Sequence, residues 1–101
     1  MQEIGKLYKV MNVQSGTTDR GDWVSQEFII EVGETYKRRV AFSVFGKERV
    51  DALMQIRLGQ DLRVTFYPES VENKDKTAWF TKLKCTQIEM FSSAFSQQNN
   101  G

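Results

Sequence analysis

The stretch RRVAFSVFGKERVDALMQIRLGQDLRVTF, residues 38–66, changes its hydrophobic period twice, and those two changes decide the fold. From Arg38, alternation puts Val40, Phe42 and Val44 on one side and Arg39, Ala41 and Ser43 on the other, as a half-buried strand does. From Lys47 to Leu58 the apolar residues Val50, Leu53, Met54 and Leu58 recur at three- and four-residue spacings. That is the pattern of one short helix, with Val50, Leu53 and Met54 in the core and Gly59 as its stop. Alternation returns with Leu62, Val64 and Phe66 against Arg63, Thr65 and Tyr67, until Pro68 ends the run.

Strands flank this centre on both sides. Upstream, Val24, Phe28, Ile30 and Val32 form an inward set broken only by Gln26, while Ser25, Glu27 and Glu31 face water. Gly33-Glu34-Thr35 marks the hairpin into the strand at Arg38. The first strand, roughly Glu3 to Val13, turns Leu7 inward and Lys6 and Tyr8 outward. Val10, Met11 and Val13 then break the alternation, as a bulge in a long curved strand does. Downstream, Trp79, Thr81, Leu83 and Cys85 alternate with Phe80, Lys82 and Lys84, and the first set is read as inward. Ser15 to Gly21 and Glu69 to Lys76 are read as connections, the first a flexible hairpin. The order is strand, strand, strand, helix, strand, strand. An all-β, five-stranded oligonucleotide/oligosaccharide-binding (OB) barrel has this layout, with the helix plugging one end and the two connections flanking a cleft across the second and third strands.

The chain of 101 residues is expected to form one domain over residues 1–91, with a mobile, uncharged, polar tail over 92–101. Lys and Arg number 14 against 13 Asp and Glu, so the net charge of +1 offers no whole-molecule field for a polyanion, and affinity for nucleic acid must come from a local patch. The absence of histidine excludes a serine-type triad, a histidine base and every histidine-containing zinc site. The single Cys85 cannot form an internal disulfide or a cysteine-rich metal site, and reads as a buried, inert thiol of a reducing compartment. No metal or cofactor is implied, and no motif pairs two of the acids for catalysis, so an enzyme is not expected. The N-terminal residues carry no basic and apolar leader, and no run approaches the roughly 18 apolar residues of a membrane span, which places the protein in the cytoplasm.

Phe42 to Lys47, the helix, and Gly59 to Val64 together resemble the strand-helix-strand centre of bacterial single-stranded DNA-binding proteins. Gly5-Lys6, Gln14 to Thr17, Arg20 to Trp23, Gln26 to Phe28 and Trp79 to Thr81 resemble a family of short bacterial and phage proteins catalogued as a domain of unknown function. The resemblance covers about Met1 to Phe91. It implies an OB barrel that binds single strands, with DNA favoured over RNA. The chain departs from the single-stranded DNA-binding proteins at its end, Asn-Asn-Gly, where they carry an acidic Pro-Phe tail that recruits partners.

Single-strand binding needs aromatic faces for bases beside a basic track for phosphates. Projecting each strand's outward set gathers Lys6 and Tyr8, Trp23, and Lys37, Arg39 and Phe45, with Tyr36 extending the platform from the hairpin. Arg20, Lys82 and Lys84 add candidate phosphate contacts. Structural readings stand beside these: Trp23 as a cap on the barrel, Phe45 packed under the helix, Lys37-Arg38-Arg39 as a solvated edge, Trp79 as core. Glu27 and Glu31 lie on the same projected face and repel phosphate unless Lys37 or Arg39 neutralises them across the hairpin. Two functions follow: a single-stranded nucleic-acid-binding homo-oligomer, dimer or tetramer, or a protein-interaction module that uses the same face.

Overall fold

The computed structural model describes residues 1–73 and 75–91, and the tail over 92–101 lies outside the described residues. The strands are β1 (Gln2–Val10), β2 (Gln14–Thr18), β3 (Gly21–Val32) and β4 (Arg38–Phe45), then helix α1 (Lys47–Met54), then β5 (Asp61–Glu72) and β6 (Trp79–Met90). They form one sheet in the order β1-β5-β6-β4-β3-β2, which closes because β1 also pairs with β3. This is the expected OB barrel, with β2 as a short additional strand.

Closure depends on β1 changing neighbours. Gln2 to Lys6 pair with β5, and from Lys6 onward the strand pairs with β3. The register slips between Leu7 and Lys9, so Tyr8 is the extra residue of a bulge that bends the strand around the barrel. Gly5 sits just before the change of partner, where a Cβ would come within 2.5 Å of the Glu31 carbonyl oxygen and 2.7 Å of Val32 Cγ1. Hydrogen bonds from Leu7 N to Gln60 O and from Gly59 N to Leu7 O tie the same strand to the segment after the helix.

The inward sets of β3, β4 and β5 meet as expected. Phe28, Ile30, Val32, Phe42, Val44, Leu62, Val64 and Phe66 are buried, with Leu7 and Cys85. The rings of Phe28, Phe42 and Phe66 form a chain with centroids 5.5 and 4.9 Å apart. α1 lays Val50 and Leu53 into this cluster. Its start is fixed by Gly46, whose φ of 97° suits glycine, and whose N–H donates to Val24 O.

Four sequence expectations are corrected. The helix ends at Met54 rather than Leu58, and Met54 and Leu58 are exposed. The chain turns after Met54, with Ile56 N donating to Leu53 O, and Ile56 takes the position against the core. The Ser15 to Gly21 segment is largely strand, since Gln14 to Thr18 pair with Ser25 to Gly21. β5 does not stop at Pro68 but runs to Glu72. Phe66 donates its N–H to Met1 O, so Pro68, two residues on, turns its nitrogen to the same edge beyond the start of β1, where no donor is required. The charged connection from Glu69 is therefore mostly a β-ribbon, with pairing from Pro68↔Leu83 to Glu72↔Trp79. Trp79, expected in the core, is 67% exposed. Its side of the strand was read correctly, but the ribbon has left the barrel by Trp79, so no interior lies beneath it.

Candidate nucleic-acid interface

β3 and β4 present one continuous outer face. Their register sets Ser25 opposite Phe45, Glu27 opposite Ser43, Ile29 opposite Ala41 and Glu31 opposite Arg39. β1 adds Lys6, opposite Glu31, and Lys9, opposite Ile29. β2 extends the other end, with Gly16 opposite Trp23.

At the β2 end the site is an aromatic cleft. Trp23, 40% exposed, lies on Gly16, where a Cβ would meet the indole at 2.7 Å. Only a residue without a side chain lets the indole lie down at that position. Phe45 is 45% exposed rather than packed under the helix. Trp23, Phe45, Gly46, Lys47 and Asp22 border a cavity of about 660 Å³. On the other side of Phe45, Lys82, Gln14, Glu27 and Ser43 line a smaller one of about 250 Å³. Lys84 Nζ sits 4.0 Å from the Phe45 ring centroid, with Glu69 Oε1 also at 4.0 Å, so its charge is steered onto the aromatic face.

The other end of the face is a cation-aromatic group. The Arg39 guanidinium lies 4.1 Å from the centroid of the half-exposed Tyr8 ring, which the β1 bulge turns outward. Glu31 is bracketed by Arg39 Nε at 3.6 Å and Lys37 Nζ at 3.8 Å, so the hairpin meets, for Glu31, the condition that Lys37 or Arg39 neutralise it. Glu27 has no such partner among the described residues. Lys6 Nζ is held by Asp61 Oδ1 at 2.7 Å, which reduces its availability to a phosphate.

The structure thus brings Trp23, Phe45, Lys82 and Lys84 together at one end of the face, and Lys6, Tyr8, Lys37 and Arg39 at the other. Arg20 and Tyr36 sit in the turns beyond opposite ends of the 12-residue β3, and neither side chain contacts either group among the described residues. Lys9 and Lys47 escaped the sequence reading: the bulge hid the phase of Lys9, and Lys47 was absorbed into the helix. Lys47 is paired to Asp51 at 3.1 Å. Exposed Trp79 on the ribbon was also missed as surface, because alternation gives a side and not its surroundings, whereas Phe80, in the outward set, is exposed as read.

Away from this face, burial pushes the Cys85 thiol up to about 11, against a smaller lowering by hydrogen bonding with the Gln87 backbone. Among the described residues no group of three or more acids and cysteines is placed to hold a metal, and no helix is long and apolar enough to cross a membrane.

Solved structures of low sequence identity share the barrel. The mitochondrial single-stranded DNA binding protein Rim1 of S. cerevisiae superposes with a TM-score of 0.69 at 13% identity, covering 91% of this chain and 94% of its own. The N-terminal domain of PriB from Thermoanaerobacter tencongensis, described as dimeric, gives 0.63 at 15%, covering 92% and 96%. An SSB domain from Synechococcus sp. gives 0.59 at 11%, covering 87% and 90%. At these identities the likeness establishes the fold. No curated protein matches the chain. The family described as a domain of unknown function (DUF3127) matches residues 3–89, and the chain belongs to that family.

Proposed function

We propose that the protein binds single-stranded nucleic acid, DNA in preference to RNA, largely without regard to sequence, and does so as a homo-oligomer, a dimer or tetramer. The observation that carries this reading is the outer β1–β3–β4 face, on which three exposed aromatic rings, Trp23, Phe45 and Tyr8, stand with cations directly on two of them. Stacking on aromatic side chains contributes about 1 to 3 kcal/mol per base, so two or three rings outweigh a net charge near zero. The Arg39 guanidinium adds a planar surface of its own over Tyr8, and arginine planes accept stacked bases. Neutralisation of Glu31 removes one of the two acids that oppose a phosphate track. The likeness to Rim1 and to an SSB domain supports the ligand class, and the dimeric PriB domain supports self-association. The role is binding without a catalytic step.

The test is a fluorescence titration against oligo-dT, oligo-rU and duplex DNA at two salt concentrations. Because Trp79 is exposed on the ribbon, a Trp79→Phe background isolates the signal of Trp23. Quenching by dT is expected, with Trp23→Ala losing about 1 to 3 kcal/mol of affinity. Arg39→Ala should lower the slope of log K against log salt by about 0.7. Gel filtration with and without oligonucleotide reports the assembly state and separates this function from a protein-interaction module, which would not shift. Absence of any binding at low salt overturns the proposal.

A further inference from the structure

Past the end of β6 the chain is tied down beside a second cavity. Phe91 N donates to Asp61 O at 3.2 Å, and the Gln60 side-chain amide donates to Phe91 O at 3.1 Å. Gly59, the neighbour of Gln60 in the chain, lines a cavity of about 350 Å³ with Lys6, Leu7, Tyr8, Glu31 and Leu58. Leu58 is 67% exposed, a large apolar side chain turned to water. Both charged residues of the lining are already engaged, Lys6 by Asp61 and Glu31 by Lys37 and Arg39. What remains of the lining is apolar, and the volume lies at the lower end of small-molecule sites, about 300 to 1,000 Å³. The occupant that this chemistry fits is one uncharged apolar group.

The chain itself carries such a group within reach. Ser92 to Gly101 has no charged side chain and one large apolar residue, Phe95. Phe95 follows Phe91 by four residues, an extended span of up to about 14 Å, whereas Gly59 is one Cα step of about 3.8 Å from the residue whose side chain holds Phe91. A segment tethered this closely competes for the cavity at an effective concentration in the millimolar range, ahead of a second copy or a free partner in dilute solution. We propose that Phe95 docks in the cavity between Tyr8 and Leu58, so that the segment after Phe91 covers the Tyr8 end of the outer face. The docking is independent of the single-strand reading, but its consequence rests on that reading: the segment competes with a bound strand for the Tyr8 ring and the Arg39 plane over it.

The experiment uses the full chain with Trp23→Phe, Trp79→Phe and Phe95→Trp, which leaves one indole, at position 95. Its emission is expected to the blue of the same protein unfolded in guanidinium chloride, at every protein concentration. Leu58→Ser should return it to the unfolded wavelength, and because Leu58 is exposed the barrel survives that change, which circular dichroism verifies. Native emission equal to the unfolded emission overturns the docking. Blue emission that persists in Leu58→Ser overturns this cavity as its place. Blue emission lost on dilution assigns the contact to a second copy and overturns the intramolecular one. With the native tryptophans and Phe95 restored, a chain ending at Phe91 should bind oligo-dT several-fold tighter than the full chain, and equal affinities overturn the covering of Tyr8. Failure of both chains to bind at low salt overturns the single-strand reading, while the emission still decides the docking.

Discussion

Replacing Gly5 by alanine adds one methyl group at the place where β1 leaves β5 for β3. The φ of Gly5 is not in the left-handed region, so the backbone accepts alanine, and the unfolded chain becomes stiffer, which alone would stabilise the fold by about 0.4 to 1 kcal/mol. Packing reverses the sign. The new Cβ would lie 2.5 Å from the Glu31 carbonyl oxygen, 2.7 Å from Val32 Cγ1 and 3.1 Å from the Glu31 carbonyl carbon. Favourable carbon contacts lie near 3.5 to 4.0 Å, so the two strands must separate by roughly 1 Å. Two of those three atoms are backbone of β3, and Glu31 is paired to Lys6 on β1 and to Arg39 on β4. No side-chain rotation relieves the clash. Overpacking costs about 1 to 3 kcal/mol, and a clash with backbone falls in its upper part, about 2 to 3 kcal/mol, which leaves a net loss of about 1 to 2.5 kcal/mol after the entropic gain. At about 4 to 8 °C per kcal/mol for a domain of this size, Tm should fall by roughly 4 to 20 °C. Thermal unfolding followed by circular dichroism measures it. A Tm unchanged or raised by Gly5→Ala would show that β1 does not close the barrel against β3 as described.

Two further predictions concern charge. Glu31→Gln releases Lys37 and Arg39 from their shared carboxylate, so oligo-dT affinity at low salt should rise and the salt slope should steepen by up to about 0.7 per phosphate gained, with little loss of stability because both cations are exposed and both contacts are long. An unchanged slope refutes the idea that Glu31 masks these cations. Cys85 has a folded-state pKa of about 11 against an ordinary value of 9.0, because burial disfavours the thiolate. Since the folded value is the higher one, the contribution to stability is intact below about pH 9 and is lost as the pH rises through about 11. Alkylation by iodoacetamide at pH 8 should be slow in the native protein and fast in guanidinium chloride, and the alkaline fall in Tm should be shallower in Cys85→Ala. Rapid native alkylation would contradict the burial.

The fold was legible because each core strand keeps a strict period of two. Phe28, Ile30, Phe42, Val44, Leu62 and Val64 were all placed by alternation, and all are buried. α1 was found from Val50 and Leu53, but not its end, since Met54 and Leu58 fit the helical spacing equally well while the chain turns before Leu58. Irregularity was informative too: the broken alternation after Tyr8 pointed to a bulge, and the bulge is there. The candidate site was legible only as a set of outward residues. Lys84 over Phe45, Arg39 over Tyr8 and the bracketing of Glu31 join residues on different strands or across a hairpin, and their geometry follows from pairing register.

By itself, then, the sequence determined the order of the five long strands, the position of the helix and which side of each core strand turns inward, because backbone geometry imposes periods of two and 3.6 on any chain that buries one face. Only the tertiary structure decided what each side faces. Trp79 alternates with the core set yet projects into solvent, since the β5–β6 ribbon outruns the barrel. Trp23 lies flat because Gly16 happens to be its partner across β2 and β3. Periodicity records direction along one strand, whereas environment depends on where the other strands end.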